Sequence, residues 1–207
     1  RSFDPKKYFY DAEKLQKQFF DTLDEDPDGL NYRSVFYTAQ SYMDSGMNDE
    51  AIKWNRLYLK LKDTWIEERF EAQMRISKLY MLVGKPIESI ISEMQKAIDM
   101  FPDRAEPYYY LGVHLNWLGN FAKGYEYLKE AQNKDLIAVK SKYILFVKEN
   151  CYGKFIDDEL SVSCYWTERY QEGIDLINEI IDDPAFEWSK DRISNNLKLC
   201  KAKIGIQ

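Results

Sequence analysis

Apolar residues recur along this chain at intervals of three and four, and nowhere alternate in a sustained way, so the pattern predicts helices with one buried stripe each. The clearest unit runs from Ala105 to Gln132. There Tyr108, Leu111, Gly112 and Leu115 fall at i, i+3, i+4 and i+7, and Gly124, Tyr127, Leu128 and Ala131 repeat the spacing after a Gly119-Asn120 turn. Small Gly112 is set against small Gly124, which predicts two helices crossing closely. Three further pairs read the same way. Val35, Ala39 and Tyr42 precede Ala51, Trp54 and Tyr58. Ala72, Ile76, Leu79 and Tyr80 precede Ile87, Ile90, Met94 and Ala97, this second helix being displaced by one residue. Ile156, Leu160, Ser161 and Cys164 precede Gly173, Leu176, Ile177 and Ile180, with no glycine at the turn. One amphipathic helix before the pairs carries Ala12, Leu15, Phe19 and Leu23. Another after them carries Ile193, Leu197, Cys200 and Ile204, with Ser189 as its cap.

Punctuation supports this parse. Gly46, Gly84 and Gly119 each end a periodic stretch and stand 38 and 35 residues apart. Pro5, Pro27, Pro86, Pro102 and Pro184 all fall outside the periodic stretches, as residues that cannot sit inside a helix must. Asp103-Arg104-Ala105-Glu106 has the form of a capping box, with Pro107 in the first turn, and Asn120 is placed to cap a second helix. The stretch from Asn133 to Lys154 breaks the period and is read as an irregular connection holding a short buried segment, Tyr143–Val147.

The period and the order aromatic, Leu-Gly, large apolar, small, large apolar, Ala resemble the tetratricopeptide repeat (TPR), whose unit is about 34 residues. The fold expected is therefore all-α, a TPR-like α-solenoid of about four helix pairs over 31–62, 69–101, 105–134 and 155–183. A flanking helix lies within 1–30 and a capping helix within 185–207, since the ends of such a stack need cover.

Composition narrows the function classes. A formal charge of −6 argues against nucleic acid, which is bound by basic faces. With 16 Tyr, 11 Phe and 5 Trp against 9 Gly and 6 Pro, the chain has many flat side chains and few breakers. Cys151, Cys164 and Cys200 form no Cys-x-x-Cys pair and read as reduced thiols, which points to the cytoplasm. No apolar run approaches the ~18 residues of a membrane span. The chain opens Arg1-Ser2 without methionine and is read as part of a longer polypeptide.

A narrower resemblance rests on Arg33, Val35-Phe36-Tyr37, Ala39-Gln40-Ser41-Tyr42, Ala51-Ile52-Lys53-Trp54, Trp65 with Glu67-Glu68, Arg104-Ala105-Glu106-Pro107, Asp158-Glu159-Leu160-Ser161, Tyr165-Trp166 and Tyr170. Over about Leu15 to Ala202 the chain resembles the helical repeat region that follows the catalytic domain in many family 2 glycosyltransferases. It departs where that family often has Asn-Pro-Arg, reading Asn31-Tyr32-Arg33. The resemblance implies a nucleotide-sugar-dependent parent enzyme whose catalytic domain is covalently linked upstream, and an accessory role for this chain. The alternative is a free-standing TPR adaptor that binds a peptide or protein.

Candidate chemistry within the chain is thin. Asp24-Glu25-Asp26-Pro27-Asp28 contains Asp-x-Asp, but between two predicted helices it reads as a solvated acidic loop. Asp157-Asp158-Glu159 could pair carboxylates for acid–base work, though a helix N-terminus favours negative charge anyway. His114 is the one histidine, so no multi-histidine metal site is possible. No phosphate-cradling glycine loop occurs. No catalytic residue, metal or cofactor is therefore expected. Lys198, Lys201 and Lys203 read as the wet side of the last helix. Counting along the first helix of each pair puts Tyr37, Gln40, Arg75, Lys78, Tyr109, Val113, Asn116, Trp117, Asp158, Val162 and Tyr165 on a concave groove, expected to take a protein or glycan ligand.

Overall fold

A computed structural model describes residues 4–23 and 32–206. Among them every regular element is helical, and the chain forms two compact units that divide after Phe101. The first unit holds α1 (Pro5–Asp21), α2 (Tyr32–Asp44), α3 (Asn48–Lys60), α4 (Ile66–Leu82) and α5 (Ile87–Met100), each packed on the one before it. The second holds α6 (Glu106–Trp117), α7 (Phe121–Gln132), the short α8 (Leu136–Lys142), α9 (Lys154–Trp166), α10 (Tyr170–Ile180) and α11 (Lys190–Lys203). There α6 packs on α7, α7 on α9, α9 on α10, and α10 on α11, while α8 belongs to the connection between α7 and α9.

One turn recurs. After α2, α4, α6 and α9 a residue adopts the left-handed conformation: Gly46, Gly84, Gly119 and, where glycine is missing, Glu168 at φ 62°. The next amide reaches back five residues each time: Met47 to the Tyr42 carbonyl, Lys85 to Tyr80, Asn120 to Leu115 and Arg169 to Cys164, at 2.8–3.0 Å. These bonds satisfy carbonyls that a helix end leaves open. Counted back seven residues from the left-handed position stand Ala39, Ser77, Gly112 and Ser161, all small and all buried. That is where the returning helix crosses. A Cβ on Gly112 would lie 2.6 Å from Leu128 Cγ and 3.2 Å from the Gly124 carbonyl. A Cβ on Gly124 would in turn collide with Asn116 Oδ1, so neither position has room for a side chain. The displaced helix of the second pair is also real: α5 starts three residues after its turn glycine, whereas α3 and α7 start two after theirs.

Polar groups inside the first unit are tied together rather than left open. Glu93 accepts from Arg56 at 2.5 Å, Lys96 at 2.8 Å and Gln73 at 2.9 Å. Burial alone would push this carboxyl up, but the three donors prevail and hold it at about 2. Tyr58 donates to the buried Glu68 at 2.5 Å in the same way.

Three local expectations change. The capping box does not form: Ala105, not Asp103, precedes α6, and no side chain caps it. Asp103 instead accepts from Tyr143 at 2.7 Å and Lys142 at 2.6 Å, and Glu106 turns inward to Arg104. Asn120 and Ser189 occupy cap positions without making the side-chain bond. Of Tyr143–Val147 only Tyr143 is buried, and Ile144 is 75% exposed. The segment is held by its backbone: Arg104, with no exposed surface, donates to the carbonyls of Leu145 at 3.2 Å and Phe146 at 2.6 Å. Finally, Asp24-Glu25-Asp26-Pro27-Asp28 and Asn31 lie outside the described residues.

Candidate functional site

The eleven groove candidates fall four in the first unit and seven in the second. In the first, Tyr37 is exposed and lines a hollow of about 420 Å³ between α1 and α2 with Lys14, Leu15 and Ser41. Arg75 on α4 is 4% exposed, which removes it from the solvent-facing set. Its guanidinium lies 4.2 Å over the Phe36 ring, donates to Gln40 Oε1 at 3.0 Å and stands 3.4 Å from Glu71. Burial pushes its pKa down against the pull of Glu71, Asp44 and Glu68. Gln40 is thus the partner of Arg75, and Lys78 is half-buried one turn further along α4. Arg75 thus ties α4 to α2, donating to the Phe36 carbonyl at 3.4 Å as well as to Gln40; an arginine fork can reach a backbone carbonyl and a side-chain amide together, which a lysine's single ammonium does less readily.

In the second unit the structure again separates packing from surface. Asn116 is buried between α6 and α9, donating to the Glu159 carbonyl at 3.1 Å and accepting from Ser163 Oγ at 2.7 Å. Trp117, the next residue, is 79% exposed, its ring stacked on His114 at 5.9 Å. Trp166, 59% exposed, stacks on Phe121 at 5.0 Å and meets Tyr165 edge-on. Tyr165, Val162 and Trp166 form one wall of a cleft of about 150 Å³, and Asn196 and Leu199 of α11 form the other. Sequence reading passed over Trp166, Asn196 and Leu199, although their helical spacing held the signal.

The acidic triplet is divided as well. Asp157 accepts from Gln132 at 2.7 Å, and its carboxyl is pushed up by burial. Asp158 is 6% exposed and accepts from Arg192 at 2.6 Å through one oxygen, while the other oxygen, Oδ1, is buried without a hydrogen-bond partner. Glu159 is half-buried and its carboxyl is pushed up by burial, then by Asp158, against the opposing pull of Arg192. Tyr109 on α6 belongs to this group, its hydroxyl pushed up by burial and then by Glu159. Nothing in the sequence pairs Arg192 with a carboxylate 34 residues earlier. No cluster of three or more metal-ligating side chains exists among the described residues. No described helix is long and apolar enough to cross a membrane.

No protein-family model matches the chain, and no curated protein does. Solved structures do. A MamA fragment from Desulfovibrio magneticus RS-1 is similar at TM-score 0.62 and 11% identity, over 86% of this chain and 87% of that one. The TPR-like repeats of a kinesin light chain-like protein from Podospora anserina give 0.56 and 15%, over 87% and 88%. A tetratricopeptide repeat protein from Parabacteroides merdae gives 0.56 and 14%, over 95% and 74%. The fold is TPR-like. At these identities the likeness is one of backbone, and TPR-like helix pairs with recurrent turns are what it establishes.

Proposed function

We propose that this chain is a non-catalytic TPR-like scaffold, the accessory domain of a glycosyltransferase, which holds an acceptor glycan or a protein partner. The observation that carries the scaffold reading is the uneven treatment of its aromatics. Phe36, Tyr58 and Phe70 are buried to within 2%, yet Trp117 and Trp166 stand in solvent at helix ends in one unit. Large exposed aromatic faces mark binding surfaces, since each forgoes the stabilisation of burial. They suit a sugar ring or an extended peptide equally in shape. The glycosyltransferase part rests on the sequence resemblance, and with it the covalently linked upstream catalytic domain. Three buried free cysteines, with the Cys164 thiol pushed up to about 12 by burial, fit a reducing compartment such as the cytoplasm.

Two measurements test this. The reading frame that encodes the chain should carry an upstream strand-rich segment with its own Asp-x-Asp; its absence returns the chain to a free-standing adaptor. Calorimetry of that segment, or of its acceptor glycan, against the purified chain should give binding that Trp117→Ala weakens roughly thirtyfold, as for an aromatic anchor worth ~2 kcal/mol. Trp117 is 79% exposed, so the variant should melt with the parent. Unchanged affinity in a folded variant would make Trp117 a bystander.

A further inference from the structure

We propose that the cleft between α9 and α11 holds one ring of a neutral sugar, with Tyr165 and Trp166 against its C–H surface and Asn196 on its hydroxyls. This rests on the reading of the chain as a ligand-holding scaffold, and it decides between glycan and protein at one place.

The cleft is bounded by Ser161, Val162, Tyr165 and Trp166 on α9 and by Asn196 and Leu199 on α11, none of which carries a charge. Its volume of about 150 Å³ is below the ~300–1,000 Å³ that encloses a whole drug-sized ligand, so it takes one ring and leaves the remainder outside. Trp166 is 59% exposed yet held in place. Its ring stacks on Phe121 of α7 at 5.0 Å and 12°, and meets Tyr165 at 5.3 Å and 88°. Tyr165 in turn meets Tyr170 edge-on at 5.9 Å. A flat surface fixed by its neighbours loses little freedom when a ligand settles on it. The negative face of an aromatic ring attracts polarised C–H groups, and a pyranose ring presents several on one side.

The polar groups decide what settles there. The Tyr165 hydroxyl, the Trp166 indole N–H and the Asn196 amide have no hydrogen-bond partner among the described residues. Ser161 donates its one hydrogen to the Asp158 carbonyl at 2.7 Å and keeps only acceptor capacity. Together these residues offer donors (the phenol, the indole and the amide nitrogen) and acceptors (the phenol, serine and amide oxygens). An ammonium only donates and a carboxylate only accepts, and no charged side chain lines the cleft to offset the water either would lose. An apolar side chain would cover these groups and satisfy none, which buried polar atoms tolerate poorly. A sugar hydroxyl donates and accepts through one atom, and the ring carries several beside its C–H surface.

The test uses the whole chain, labelled with nitrogen-15, and the methyl glycosides of glucose, galactose, mannose and N-acetylglucosamine, each a single neutral ring. At least one should shift the Trp166 indole and Asn196 side-chain signals saturably, with a Kd in the millimolar range, while the Trp65 and Trp188 indoles stay still. Asn196→Ala, followed at Trp166, and Trp166→Ala, followed at Asn196, should each weaken binding roughly fivefold or more. The two residues stand on different helices, so either variant serves if the other melts early. No saturable shift with any of the four glycosides overturns the proposal, and so does a shift that survives both substitutions. Acetyl-leucine amide saturating the same signals where the glycosides do not would also overturn it, in favour of an apolar peptide side chain. Trp117→Ala should leave the glycoside response unchanged. That response, kept in a protein whose binding of the upstream domain ignores Trp117, would sink the Trp117 assignment and leave the cleft standing.

Discussion

The α6–α7 pair and the connection that follows it, Asn133 to Gly153, are neighbours in one unit but are held by opposite means. The pair closes through absence: Gly112 and Gly124 remove two side chains, and Leu111, Leu115, Leu128 and Ala131 fill the interface with no exposed surface. The connection has few apolar anchors and closes through charge. Arg104 and Glu106, both buried, bond at 2.5 Å and 3.1 Å. Glu106 also accepts from the Lys148 amide at 2.9 Å and from Tyr152 at 2.8 Å, and Tyr152 takes the Ala105 amide at 3.1 Å. A helix satisfies its own backbone and needs only a matching surface. An irregular segment exposes carbonyls that something must satisfy, and here Arg104 supplies donors to two of them from inside.

The largest expected effect breaks the charged side of this comparison. Arg104→Ala leaves Glu106 buried without its counter-charge and removes the guanidinium's bonds to the Leu145 and Phe146 carbonyls. Breaking a buried pair from one side costs about 3–5 kcal/mol. Thermal melting should show that loss, and hydrogen exchange should show residues 145–148 losing protection first. Arg104→Ala combined with Glu106→Gln should recover part of it, because no buried charge then stands alone. If Arg104→Ala melts with the parent, the connection is held by something other than this pair.

The next effect breaks the apolar side. Gly112→Leu puts a Cβ where Leu128 Cγ is 2.6 Å away, with three more carbons beyond it. Overpacking of this kind costs about 1–3 kcal/mol. The loss should appear in the melting temperature with no change in residues 145–148, since those depend on Arg104. Leu128→Ala in the same background should return some of it by opening space, a non-additive result expected of touching residues. A Gly112→Leu protein as stable as the parent would show that α6 and α7 do not cross there.

The two regions also differ in how far they can be read from sequence, for the same reason. A close helix crossing leaves local marks: a small residue seven before the turn, another five after it, and large apolar residues at helical spacing. Even the pair without a turn glycine was readable, because Gly173 sits five residues past Glu168 and packs against Cys164 and Cys200. A buried ion pair leaves no such mark. Asp103-Arg104-Ala105-Glu106 has the residues of a capping box, and only the arrival of Tyr143 and Lys142 from 40 residues away turns it into something else. The groove candidates divide likewise. Helical counting assigned Arg75, Asn116 and Asp158 to the ligand face; partners on other helices engage all three, a fact that no one-helix count contains. Trp117 and Tyr37, with no such partner among the described residues, remain at the surface.

The smallest effect sharpens the comparison by exchanging residues between turns that should be equivalent. Glu168 occupies the place that glycine takes at Gly46, Gly84 and Gly119, with φ 62° against 80°, 66° and 76°. A residue with a Cβ is strained there, by about 1 kcal/mol or more. The Glu168 side chain is exposed, and among the described residues it makes no hydrogen bond that would offset this. Glu168→Gly should relieve the strain and lose a little to the greater freedom of the unfolded chain, for a net gain of about 0.5–1 kcal/mol. In a chain of this size that raises the melting temperature by a few degrees. The reverse exchange, Gly119→Glu, should cost a similar amount, because no atom lies within 4 Å of a Cβ at Gly119 and backbone strain is the sole penalty. Equal and opposite shifts would show that the turn after α9 is the turn after α6 with its glycine lost. If Glu168→Gly destabilises instead, the glutamate does something in its turn that the other three turns do without, and the α9–α10 pair would not be a plain copy of its neighbour.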